Sequence, residues 1–187
     1  MRRRVVIPAL LLVAVIAVSV GLYLFQPWRI FTSSTVIEDL PAAATPTATP
    51  AVEPATAGPS AAPSPVPPVA APRELATGQL ISHEHASSGR AKILELPDGS
   101  RILRLEGLDT SDGPDLHVWL TDAPVIEGSA GWYVFDDGAY LDLGSLKANK
   151  GDQNYEIPAA ATLGDYSSVS IWCARFAVSF AAAELNV

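Results

Sequence analysis

Asp112-Gly113-Pro114-Asp115-Leu116-His117-Val118-Trp119-Leu120-Thr121 reads as a turn feeding a half-buried strand. Asp, Gly and Pro favour turns, each through its own backbone effect. Leu116, Val118 and Leu120 then alternate with His117, Trp119 and Thr121, the period of two that a strand with one apolar face requires.

The same grammar extends outward in both directions. Upstream, Ala91–Leu96 and Arg101–Leu105 flank Pro97-Asp98-Gly99-Ser100, and an Asp-Gly pair between apolar runs is a hairpin signal. Downstream, Asp136-Asp137-Gly138 precedes Ala139–Leu143, and 144–151 reads as a short turn region. Val169–Phe180 reads as the strongest strand, with Ala183–Val187 available to close a sheet. Helical periodicity is weak throughout, so residues 73–187 are expected to form one all-β, sandwich-like domain.

The first part of the chain has another character. Residues 5–25 carry no charge, and 21 helical residues span roughly 30 Å, the thickness of a bilayer's hydrocarbon core. Arg2, Arg3 and Arg4 precede this run, and Trp28 and Arg29 follow it. Basic residues stay on the cytoplasmic side, so the bulk of the chain is expected to be extracytoplasmic, held by a single-pass anchor over residues 1–29 in the cell membrane. A cleaved signal peptide is the alternative, although its apolar core is usually only about 7–15 residues. Residues 30–72 are expected as linker, because ten of the 32 residues in 41–72 are proline and none is aromatic. Such a stretch buries too little apolar surface to offset its ordering entropy, and an extended one would act as a stalk.

Charge is uneven. Residues 1–72 hold four basic and three acidic residues, while 73–187 hold eight basic and 17 acidic. The domain's net −9 repels phosphate backbones, so no nucleic-acid partner is expected. No Gly-rich phosphate loop, Gly-x-Ser-x-Gly elbow or His-Glu-x-x-His motif occurs, which leaves hydrolase and transferase chemistry without a local signature.

Cys173 is the only cysteine, so it has no intramolecular disulfide partner. An unpaired thiol in an exported domain is a reactive group, a ligand or simple packing. Two registers are open. In an unbroken strand, Cys173 shares a face with Arg175, whose cation would favour the thiolate. With a bulge near Ala174–Arg175, Val169, Ile171 and Cys173 turn inward, followed by Phe176, Val178 and Phe180. His83 and His85 point the same way if their segment is extended, and with Cys173 they form a possible copper or zinc set. No cofactor is otherwise required. Asp109, Asp112 and Asp115 lack the ligand spacing of an EF-hand and are read as turn residues. Trp119, Trp132 and Tyr133 are candidate contacts for a cell-surface partner, should the domain be a binding module instead.

Taken in order, five segments are similar to one known family. They are Gly78-Gln79-Leu80 with His85 and Gly89; Leu105-Glu106-Gly107-Leu108 followed by Asp112 through Leu120; Leu143 through Lys147; Gly151 through Pro158; and Tyr166 through Cys173, ending Val-Ser-Ile-Trp-Cys. The set resembles the electron-transfer DM13 domain family over about residues 75–187. The resemblance implies a β-sandwich-like domain outside the cell. It also implies that Cys173, by position, is the redox-active residue, with a redox partner left unnamed.

Overall fold

The computed structural model describes residues 2–41 and 71–186. Helix α1 (Arg2–Phe25) opens the chain, and a short 3-10 turn over Pro27–Phe31 leads into the strands. These are β1 (Thr35–Ile37), β2 (Arg73–Gln79), β3 (Ile81–Ser82), β4 (Ser88–Glu95), β5 (Arg101–Asp109), β6 (Leu116–Thr121), β7 (Tyr140–Ser145), β8 (Lys150–Ile157), β9 (Ser168–Cys173) and β10 (Val178–Glu184). They form two five-stranded sheets, ordered β1-β8-β5-β4-β2 and β3-β10-β9-β6-β7. Every pairing is antiparallel except β1 with β8. The fold is therefore all-β, as the alternation and turn spacing require.

The sheets meet through the faces that the period of two assigns inward. Ala91, Leu105, Val118, Leu120, Val169 and Ile171 are wholly buried in that core. Fully burying a Val, Leu or Ile side chain is worth about 1.5–3 kcal/mol, against roughly 0–1 kcal/mol for an exposed ion pair. The inter-sheet face, rather than the surface charges, therefore holds the sandwich together.

Two features depart from the sequence reading. Val169–Phe180 is a hairpin, not one strand: β9 ends at Cys173, and Ala174–Ala177 make a turn in which Ala177 takes a positive φ of 49°. The face of β6 expected to be polar is also buried at Trp119 and Thr121. Trp119 belongs to a second apolar cluster with Ala123, Phe135, Trp172 and Ala182, with Val125 and Val134 packed against it. The β6–β7 connection supplies Phe135, Val125 and Val134, which cover the outer face of the second sheet. A local alternation pattern cannot foresee that cover.

At the other end, α1 is the one helix among the described residues long and apolar enough to cross a membrane, over Leu10–Arg29 with mean hydropathy 2.2. Most of the proline-rich stretch expected as a stalk, residues 42–70, lies outside the described residues. Its flanks, however, are strands of one sheet, β1 at one edge and β2 at the other. The sheet thus takes a strand from inside the range 30–72 expected as linker.

That strand is held by specific groups. Lys147 Nζ donates to both Glu38 carboxylate oxygens, at 2.8 and 2.9 Å, and the Asn154 amide donates to Glu38 Oε2 at 2.7 Å. The Lys147 hydrogen bond, followed by the Asn154 amide, keeps the Glu38 carboxyl below its ordinary range. The Ser34 amide donates to Asn149 Oδ1 at 2.7 Å. Gly151 permits the pairing: its φ is +100°, and a Cβ there would collide with the Val36 carbonyl. Gly151→Ala is expected to cost about 1–3 kcal/mol in urea unfolding, the scale of a strained backbone position. It should also expose to exchange the Glu38 amide that now donates to Asp152 O. Unchanged stability and exchange would mean that β1 is not held in this way.

Candidate functional site

Cys173 ends β9 opposite Leu116 of β6 and Val178 of β10. Two turns converge on it. One is Asp112–Asp115, whose Asp115 carbonyl accepts from the Ala174 amide at 2.9 Å. The other is Ala174–Ala177, closed by the Phe176 amide donating to the Cys173 carbonyl at 3.3 Å. The thiol is 0% exposed and lies in the main core with Val169 and Ile171. The inward register holds as far as Cys173. Phe176, expected inside, is instead 42% exposed in the turn.

The environment sets the thiol's protonation. Burial pushes the Cys173 pKa up, because a thiolate loses more hydration than a thiol. Backbone N–H groups of Phe176, Arg175 and Asp115 oppose that shift, and the Asp115 carboxylate adds to it. The net direction is upward, so the resting group is a protonated thiol. Arg175 acts only through its backbone. Its guanidinium donates to the Leu24 carbonyl at 3.0 Å. The groups that favour charge on the sulfur are peptide N–H dipoles, that of Arg175 among them.

The roof of the site is tied to the segment that follows α1. Arg29 donates to the Gly113 carbonyl and pairs with Asp112 at 3.5 Å, while Thr32 Oγ1 donates to Asp112 Oδ2 at 2.7 Å. Arg29, Asp112, Asp115, Leu116, Lys147 and Asn149 line a cleft of about 280 Å³ on this roof. Gly113 lets the turn close, since a Cβ would press on Leu116 and on the Phe180 ring at 3.0–3.1 Å. The sequence signal for this roof was the Asp-Gly-Pro-Asp turn. Its link to Arg29, 84 residues away in the chain, had none.

The two histidines do not join the cysteine. His83 Nδ1 lies 2.9 Å from Ser179 Oγ, and its ring faces Phe135 in the outer cluster. His85 lies 4.0 Å from the Phe180 ring, on the main core. They diverge because β3 ends at Ser82 and the chain bends there, so no extended segment aligns them. Among the described residues, no group of three or more His, Cys, Asp or Glu side chains converges on a metal-sized site. The three turn aspartates are engaged separately: Asp109 with Lys150, Asp112 with Arg29 and Asp115 with His117. Of the candidate contact aromatics, Trp119 is buried beneath Tyr140, its ring 4.0 Å away, whereas Tyr133 is 56% exposed.

His83 supplies a pH-dependent element. Burial lowers its pKa below the ordinary 6.5, against an opposing Ile126 backbone group. In the unfolded chain the ring takes a proton near about pH 6.5, while the folded chain resists it. The unfolded state therefore binds more protons in this window, and stability must fall as pH drops from about 7 to 5. His83→Gln should flatten that slope in denaturation measured across the same range. An equal slope in both proteins would remove His83 as its cause.

No curated protein and no solved structure matches the chain. The profile of the family described as Electron transfer DM13 matches residues 79–185, over half of the chain, taking in the whole second sheet and β4, β5 and β8 of the first. With its two-sheet architecture and the ordered set of segments ending at Cys173, the chain belongs to the electron-transfer DM13 family.

Proposed function

We propose that this protein is an electron-transfer domain held at the cell membrane by α1, on the extracytoplasmic side, with Cys173 as its redox-active side chain. The observation that carries this reading is the placement of the thiol. It sits where two turns meet, faces three backbone N–H groups, and lies under a roof pinned by the residues that follow the anchor.

The chemistry open to one cysteine is mixed-disulfide formation. When the turns part, the Cys173 proton leaves to water and the thiolate attacks a partner's disulfide. One S–S bond forms, the partner's S–S bond breaks, and one partner thiolate departs. The backbone N–H groups stabilise the negative charge on sulfur during that step, and before it the closed turns shield the reduced thiol from stray oxidants. Burial makes the group slow but selective, since only a reactant that gains access through the roof meets it.

A second reading is favoured by the complete burial of the sulfur: a non-catalytic module that presents Tyr133 and its loop to a cell-surface protein or polysaccharide. The two separate cleanly. Incubated with oxidised glutathione, the folded full chain is expected to gain one glutathione at Cys173, reversibly with dithiothreitol and without unfolding, while Cys173→Ser gains none. Failure of the folded chain to take up glutathione, together with full biological activity of Cys173→Ser, would support the binding module instead.

A further inference from the structure

The turn that follows Cys173 carries an apolar ring outward. Phe176 is 42% exposed. Its ring stacks on Phe25 with centroids 5.8 Å apart and planes 20° from parallel. Beside it, Arg175 Nη1 donates to the Leu24 carbonyl at 3.0 Å. Leu24 and Phe25 are the last two residues of α1, whose final carbonyls lack partners within the helix. The β9–β10 turn is therefore level with the C-terminal end of the apolar helix.

The surroundings match a membrane–water boundary. Tyr23, Phe25 and Trp28 are 74, 59 and 51% exposed around the same level, and Arg29 and Arg175 add two cations there. Aromatic and basic side chains gather where a helix leaves the hydrocarbon, the rings at headgroup depth and the cations against phosphate. Only nine residues separate Phe25 from Thr35, the first residue of β1, so the chain enters the sandwich immediately after the helix.

We infer that the β9–β10 turn is a second membrane contact, with Phe176 in the headgroup region of the leaflet where α1 ends and Arg175 beside it on the lipid phosphates. The partner of this surface is the lipid bilayer itself. The inference rests on the anchoring role of α1 proposed above. It places the Cys173 end of the sandwich at the membrane surface rather than at the tip of a stalk, so a redox partner must reach the thiol from the bilayer boundary.

The test uses the unmodified full chain in vesicles of phosphatidylcholine and phosphatidylglycerol containing a phospholipid with a photoactivated diazirine near its headgroup. Adducts are mapped by mass spectrometry. Adducts are expected on α1 and on Ala174–Ala177, with none on the segment holding Tyr133. Arg175→Glu should cut the yield on the turn severalfold and leave that on α1 unchanged. Adducts on α1 with none on the turn would overturn this inference while leaving the anchor in place. Adducts on neither would overturn the anchoring role and this contact together. Equal labelling of the turn and the Tyr133 segment would also overturn it, because the turn would then have no preferred lipid contact.

Discussion

Strand β9 is buried on both faces, and most of the structure follows from that constraint. Val169, Ile171 and Cys173 face the opposite sheet, while Ser170 and Trp172 face the cover formed by the β6–β7 connection. A strand of this kind needs apolar partners above and below and hydrogen-bonded neighbours on both sides. The second sheet supplies β6 and β10 as neighbours, and the first sheet closes one face. The outer polar groups find partners: Ser170 Oγ donates to Ser179 Oγ at 3.0 Å, beside His83. The location of the sulfur is thus a by-product of packing that the whole fold requires.

This placement changes what the thiol is able to do. An exposed cysteine beside a cation would rest partly as thiolate and react with any small oxidant. Cys173 rests protonated and covered, its charge stabilisation coming from peptide groups already in position. In the proposed redox role, reactivity is then a matter of opening rather than of ionisation at rest. The groups that hold the roof shut, Arg29 and Thr32, belong to the stretch that connects α1 to the sheet. Helix, roof and sulfur form one connected structure.

Much of this architecture was legible in the residues. The alternation in Leu116–Thr121 named the inward face correctly, and the Asp98-Gly99 turn marked the β4–β5 hairpin. What escaped was non-local. Trp119 sits on the face that alternation assigns to solvent, and only the distant Phe135 explains its burial. Ala174–Ala177 lacks Gly, Pro, Asn and Asp, so nothing in it signalled the turn that splits Val169–Phe180. Thr35–Ile37 is too short and too close to the proline-rich stretch to stand out as a strand, yet its Glu38 meets Lys147 across 109 positions. At the site, the lone cysteine was visible from composition. Its environment was not, because Arg175 lies two positions away in sequence but its side chain reaches for Leu24.

The rate of Cys173 alkylation by iodoacetamide in the folded full chain, compared with Arg29→Ala, tests most directly whether this is a guarded thiol. The unmodified chain should react far more slowly than it does unfolded in guanidinium. Release of the roof in Arg29→Ala should speed the reaction without unfolding the sandwich. Alkylation of the folded, unmodified chain as fast as in denaturant would show a sulfur open to solvent. Complete inertness in both folded proteins would show one that never opens; either result contradicts the account.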